Sequence, residues 1–385
     1  MQRIAQSPTD PAFVQDPYPF YHRARALGDI VWWEDYDLPV ATSHAAVSAL
    51  LRDRRLGRAA PPGRGPRPTP HTAAFYAIEA HSMLELEPPR HTRLRGLVLR
   101  AFTSARIAGL EDGIRALCHD LIDRLPAGGG DLLPLYCRPL PVIVIARLLG
   151  VPEDMADRLL SWSNAMVGMY QAGRSHADEV AAGAAAAAFA DFLGRHIDAR
   201  RRRPGAALID DLIAARDSGD RLSPEELVAT CILLLNAGHE ATVHTMGNGI
   251  AALLTHGGAT AATVEEILRH DPPLHLFDRW VYEEATLFGH RFAPGDRVGL
   301  LLAAAGRDPA RFPDPDRFDP ARPPGPHQAF GAGLHFCVGA PLARLELQIA
   351  LPLLFERRPG LAVAAPPRYA DIYHFHGLGA LHCTW

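Results

Sequence analysis

Apolar and polar positions follow helical spacing through most of residues 92–255, and the strongest helix signal opens at Ser223-Pro224-Glu225-Glu226. Ser223 can cap, Pro224 suits the first helical position, and Glu226 completes a capping box. The segment that follows, through CILLLNAGHEATVHTMGNGIAALL, is apolar nearly all round in its middle, which predicts a helix buried on most faces. Ser43 predicts another cap, for a helix to about Leu51, and further helices are expected over Thr263–His270 and from near Ala340 to before Pro359. The alanine-rich run Ala181–Ala190 predicts a packed helix. Short strands are expected at Ile30–Trp33 and Leu38–Thr42, within a strand-like lead-in over residues 1–41, and again at Thr286–Phe288, Arg291–Phe292 and Arg297–Leu302. Seven prolines between Pro309 and Pro326 break both ladders and predict an irregular meander. The Pro/Gly-rich stretch 57–72 reads as a loop, either a mobile lid or a plain connection. With no internal repeat and no independent linker, the expectation is a mainly α chain with a minor β portion, one domain over residues 1–385.

Composition narrows the function. At 385 residues, 48% apolar and 21% charged, the chain is too hydrophobic for disorder and long enough to enclose a bulky cofactor. A net charge of −4 gives no basic excess for nucleic acid, and Arg200–Arg203 before Pro204 lacks interleaved aromatics and reads as a solvated helix end. All 39 basic residues are arginine, which excludes a phosphate loop ending in Gly-Lys-Ser/Thr, a Schiff-base lysine and a lysine general base. Cys118, Cys137, Cys231, Cys337 and Cys383 are far apart, so neither a disulfide framework nor a structural zinc site is expected. The N-terminus lacks the apolar core of a signal peptide, and Leu140–Val151 is too short for a membrane span and is interrupted by Arg147. A cytoplasmic protein without membrane or nucleic-acid partners is expected.

The candidate chemistry lies in FGAGLHFCVGAPLARLE, residues 330–346. Gly331, Gly333 and Gly339 let backbone approach something bulky or take positive φ, and Pro341 suits the first turn of the following helix. Cys337 therefore sits just before a helix N-terminus, where backbone N–H groups and the dipole favour a thiolate. Such a thiolate can serve as nucleophile, redox sensor or metal ligand; the glycine bracket and Phe330 suit a flat, buried macrocycle.

The string Phe330-Gly331-x-Gly333-x-His335-x-Cys337-x-Gly339 resembles the haem-binding signature of the cytochrome P450 family at every position. The resemblance implies the P450 fold, haem b as cofactor and Cys337 as the axial thiolate ligand. It extends to Glu266-Ile267-Leu268-Arg269, similar to the family's Glu-x-x-Arg, and to RDPARFPDPDRFDPAR, similar to its meander, although Gly306 stands before it where relatives often carry Asn. Glu87-Pro88-Pro89-Arg90-His91-Thr92-Arg93-Leu94-Arg95 resembles the helix that grips haem propionates, and His91 and Arg95 share a helical face. His91, Arg95, Arg279 and His335 are the implied propionate partners, with Phe330 and Gly331 beside the cofactor. Asn236-Ala237-Gly238-His239-Glu240-Ala241-Thr242 resembles the oxygen-binding stretch: Gly238 would let the helix distort, and Glu240 would relay protons unless it turns away to a distant arginine.

One departure matters. The family's threonine after the acid is Ala241 here, and the hydroxyl of Thr242 is displaced by about 100° around the helix. A substrate hydroxyl, an ordered water, or chemistry less dependent on the relay would each accommodate this. Three near matches fail: His239 and His244 lie about 140° apart, unlike a zinc-protease pair; Gly173-Arg174-Ser175-His176-Ala177 lacks the second glycine of a nucleophile elbow; and Phe336 stands where a dinucleotide fingerprint needs glycine.

The resemblance implies a monooxygenase acting on a small-to-medium hydrophobic substrate, with electrons from a ferredoxin or flavodoxin and its NAD(P)H-dependent reductase. Leu274, Leu276, Phe277 and Phe375 would line the cleft, while His275, Asp278 and His376 would add polar contacts or face away. Arg344, Arg93 and Arg100 would offer the redox partner positive charge. The alternatives are a P450-type oxidase performing coupling, desaturation or decarboxylation, and a non-enzymatic haem sensor or carrier.

Overall fold

The helix capped by Ser223 runs from Pro224 to His256 and forms the axis of the structure, a computed structural model that describes residues 1–217 and 222–385. Both halves of the capping box form: the Glu226 N–H donates to Ser223 Oγ at 3.1 Å, and the Ser223 N–H donates to Glu226 Oε2 at 3.0 Å. Its 33 residues span about 50 Å. Helices Pro139–Leu149, Ala156–Val167, His176–Arg202 and Ala340–Arg357 pack against it, as its nearly all-round apolar surface requires. Leu140, Ile232, Met246, Leu347 and Leu351 belong to this helical core.

The β portion lies mainly in a six-stranded sheet, ordered Arg3–Ile4, Ile30–Trp33, Leu38–Ala41, Arg297–Leu301, Leu276–Val281, Leu56–Gly57. Ile30–Trp33 and Leu38–Ala41 form the expected antiparallel pair, with Ile30 opposite Ala41. Both faces of the sheet are covered. Ile30, Val298 and Leu300 belong to one apolar cluster, and Val31, Trp33, Val40 and Leu301 to another.

Three expectations are corrected. The first 41 residues are not a strand-like lead-in alone, because helices Pro11–Gln15 and Tyr18–Leu27 bring Phe13, Phe20 and Tyr21 onto Trp33 and its neighbours. The prolines near their starts occupy first-turn positions, where no N–H is missed. The strand expected to reach residue 302 stops at Leu301, and Leu302–Gly306 forms a buried helical turn. The helix end at Arg200–Arg203 is solvated only in part: Arg202 and Arg203 are exposed, whereas the Arg200 Nε donates to Asp210 Oδ1 at 2.9 Å.

The meander hangs on Glu266 and Arg269. Arg269 donates to both Glu266 oxygens at 2.6 and 2.7 Å, and also to the carbonyls of Gly306, Pro315 and Arg317. Glu266 also accepts from the Asp319 N–H and from Arg322. Gly306 has a local reason here, since a Cβ at that position would run into the Arg269 carbonyl. Among the described residues, no helix is long and apolar enough to cross a membrane.

Arg269→Ala strips the partner from a buried carboxylate and should cost about 3–5 kcal/mol, or prevent folded protein from accumulating. Arg115→Ala, which breaks the exposed pair with Glu111, should cost less than about 1 kcal/mol. Denaturant midpoints of the two variants check the contrast.

Candidate functional site

Cys337 stands three residues before the helix Ala340–Arg357. Its N–H donates to the Phe330 carbonyl at 3.0 Å, and Gly331 and Gly333 take the positive φ values, 67° and 69°, that turn the chain between them. A side chain on Gly333 would also strike the backbone of Leu51 and Arg52. Cys337 is an exposed residue, with protein packed around its thiol. Burial pushes its thiol up, and the N–H groups of Gly339 and Ala340, with Arg95 and Arg344, pull it back toward the thiolate.

The loop is fixed from the side. Arg344 lies over the Phe330 ring at 4.6 Å and holds Glu265 with two hydrogen bonds, 2.6 and 3.0 Å, while His327 reaches the same carboxylate at 3.1 Å. Burial works against the Glu265 charge, but these two partners hold its carboxyl down at about 2. Sequence reasoning missed Glu265, because an acid beside Glu-x-x-Arg looks like ordinary helix surface. It also offered Arg344 and Arg93 to a redox partner. Arg344 is spoken for by Glu265, and Arg93 donates to Glu226 at 2.5 Å.

Two of the four expected propionate partners, Arg279 and His91, carry donor groups that no carboxylate of the protein meets among the described residues. Arg279 is 3% exposed, yet its guanidinium donates only to the Asp278 carbonyl at 2.8 Å and pairs with no carboxylate among the described residues. Burial, then Arg58 nearby, pushes it down to about 10. The Asp278 carboxylate is already engaged by Arg58 and Arg297. His91 is buried with its Nδ1 unpartnered; burial, then His335 and Arg95, push it down to about 4. The His91 and His335 rings lie 4.3 Å apart, and His335 Nε2 donates to Glu87 Oε1 at 3.0 Å. Arg95 is lowered by burial, an effect that Cys337 opposes. Buried cationic and donor groups without anions, next to a thiol backed by N–H groups, fit a macrocycle bearing two carboxylates and a metal that takes sulfur.

The central helix runs unbroken past this region. Gly238 does not distort it; it lets the helix pack closely on Ile145, where a Cβ would come within 3.1 Å. Ala237 is exposed in the middle of this buried helix, and Ala241, one turn on, is half-buried. Thr242 is buried, with its hydroxyl 3.5 Å from the Gly238 carbonyl. Glu240 meets no arginine among the described residues. His244 Nε2 donates to its Oε1 at 3.2 Å, and His239 Nε2 lies 3.4 Å from Oε2. Burial pushes the Glu240 carboxyl up, but the two histidines outweigh it and hold it well below the usual carboxylate range.

Leu274 and Phe375 form a bridge beside this helix, and the three polar candidates nearby are engaged elsewhere. His275 bonds Tyr21, Asp278 holds two arginines, and His376 bonds Asp271. Glu346, on the helix after Cys337, is fully buried with both carboxyl oxygens unpartnered, and burial pushes it well above its usual range. Its only sequence signal is an acid within the apolar run LELQIALPLL.

Comparison with known proteins agrees with this geometry. The cytochrome P450 family model matches residues 258–357. The chain is 38% identical to cytochrome P450 monooxygenase PikC of Streptomyces venezuelae, over 97% of this chain and 92% of that protein. It is 39% identical to vitamin D(3) 25-hydroxylase of Pseudonocardia autotrophica, over 91% and 89%. Among solved structures it is similar to P450BioI bound to an acyl carrier protein carrying hexadec-9Z-enoic acid, with a TM-score of 0.91 and 32% identity over 97% of this chain and 99% of that one. Hydroxylases and monooxygenases among such relatives set aside the sensor or carrier alternative. The Glu-x-x-Arg anchor, the glycine-bracketed cysteine and a likeness running the length of the chain meet in one conclusion: the chain belongs to the cytochrome P450 family and is a haem b monooxygenase.

Proposed function

We propose that residues 1–385 act as one haem-binding domain in which Cys337 would be the thiolate ligand, Arg279, His91, Arg95 and His335 would hold the propionates, and Phe330 and Gly331 would lie beside the cofactor. The observation that carries this reading is the Cys337 sulfur facing the N–H groups of Gly339 and Ala340, with Arg95 beside it. Haem bound there supplies dioxygen activation and transfer of one oxygen atom to the substrate.

The chain's own residues do the rest. The two N–H groups and the helix dipole hold negative charge on sulfur. Arg279 and His91 meet carboxylates that would otherwise be costly to bury. Ala237 and Ala241 keep the helix face small where substrate and oxygen must fit. Glu240, between His239 and His244, holds a proton-accepting carboxylate beside that face and passes protons inward. With the Thr242 hydroxyl turned to the Gly238 carbonyl, a substrate hydroxyl or a water completes the relay.

The substrate is a small-to-medium hydrophobic molecule. Half-buried Leu274 and Phe277 support this, as do relatives named for vitamin D(3) and mycinamicin IV and a similar structure in complex with myristic acid. Electrons come in the cytoplasm from a ferredoxin or flavodoxin and its NAD(P)H-dependent reductase. Exposed Leu334 and Phe336, beside a surface hollow of about 510 Å³ that Arg52 also lines, offer the docking face. A second reading, oxidation without oxygen insertion, is favoured by Ala241 and by the 30% identical structure CxnD, named for C–S bond formation.

Cys337→Ser should abolish the red-shifted absorption of the reduced carbonyl complex, and an unchanged spectrum would exclude Cys337 as ligand. Arg279→Leu should speed haem transfer to an acceptor globin by about tenfold or more. It should leave the haem-free chain as stable in denaturant or more so, because it removes a buried unpaired charge. Ala241→Thr should change the ratio of product formed to NAD(P)H consumed, and product analysis with labelled dioxygen separates the two readings.

A further inference from the structure

A second constellation lies away from the haem cleft, where the end of the 57–72 loop meets the start of helix His176–Arg202. His71, His176 and Glu179 each offer one ligand atom, and these atoms lie within 4.8 Å of one another. His71 Nε2 is 3.1 Å from Glu179 Oε2, and the His71 and His176 rings meet edge to face with centroids 4.5 Å apart. Tetrahedral ligands about 2.0–2.1 Å from a zinc ion stand about 3.3 Å from one another. The His71–Glu179 spacing, 3.1 Å, already matches that figure, and the His176 ligand atom, within 4.8 Å of both, has to close by at most about 1.5 Å.

We propose that His71, His176 and Glu179 bind a divalent transition-metal cation of the zinc type, with water in the fourth position. Two imidazoles and one carboxylate select such a cation over calcium or magnesium. Arg174 Nε donates to Glu179 Oε1 at 3.1 Å, leaving Oε2 for the metal. Thr69 Oγ1 lies 3.2 Å from both ring nitrogens of His71, so Nε2 would give up that contact to the metal while Nδ1 keeps it and orients the ring. His176 and Glu179 are three apart on one helix and share a face. His71 is held before any metal arrives: its carbonyl rests against Gly183, and the Thr69 N–H donates to Thr72 Oγ1 at 2.9 Å.

Two features set the strength. The Arg174 charge and the positive end of the helix oppose a cation, so the site is exchangeable rather than permanently filled. His176 is exposed and gives the ion a way in. The other trio at comparable distance, Asp271, His275 and His376, is different. Asp271 already accepts from Tyr18 at 2.7 Å and Tyr369 at 2.9 Å, and His275 is wholly buried.

A bound ion ties the loop to a helix that also packs on Ala73–Glu79. Glu79 in turn accepts from Tyr170 at 2.7 Å, so the metal fastens the loop, the helix Ala73–Glu79 and the helix turn at Tyr170 into one unit.

The test uses the haem-loaded enzyme, so that Cys337 is engaged, stripped of other metals and titrated with zinc chloride by calorimetry. One zinc ion per chain should bind, about tenfold or more weaker in both His71→Ala and His176→Ala, and unchanged in His382→Ala, whose side chain is exposed elsewhere. Amide exchange over residues 69–72 should slow with zinc in the parent and not in His71→Ala. Absence of binding at sub-millimolar zinc, or affinity unaltered in both site variants, overturns the proposal. An unchanged haem absorption spectrum in each variant shows that the fold is intact.

Discussion

Glu266 is almost without solvent in the first turn of the Thr263–His270 helix, and Arg269 in its last turn grips it while reaching three backbone carbonyls farther along the chain. That segment has too many prolines to build its own ladder, so its carbonyls need donors from elsewhere. One guanidinium supplies several of them. The neighbouring Glu265 holds Arg344 and His327, and thereby the flanks of the cysteine loop. Two consecutive carboxylates on one short helix thus hold the meander, residues 306–322, and both flanks of the cysteine loop.

The central helix solves a different problem. It must be apolar enough to be buried by four neighbouring helices, yet carry proton-handling groups halfway along. It does so by confining polarity to one turn. Glu240 is flanked by two imidazoles from its own helix, while Ala237 and Ala241 keep the adjoining strip small. Gly238 serves the packing side of the same turn, against Ile145, rather than the open side.

Features written in a few consecutive residues were legible in the chain. The Ser223 capping box, the Ser43 cap, the Ile30–Trp33 hairpin and the proline meander each depend on neighbours in sequence, and each forms where expected. The cysteine loop belongs with them. What escaped was set by partners far along the chain. Glu265 matters because Arg344 lies 79 residues away, and Glu87 because His335 lies 248 away. Arg344 looked like a free surface cation for the same reason. The helix Tyr18–Leu27 was hidden by prolines that break a helix in its middle but are tolerated at its start. The burial of Glu346 has no local cause at all, since it follows from how the last helix docks.

The isolated guanidinium of Arg279 has a consequence for the life history of the protein. On the proposed reading, the polypeptide folds with one uncompensated positive charge at its centre, and the missing counter-ion arrives with the prosthetic group. Ligands that bind only the native state add to its stability in proportion to the logarithm of their supply. Porphyrin availability would then govern how much of the polypeptide survives cellular quality control, as well as how much of it is active.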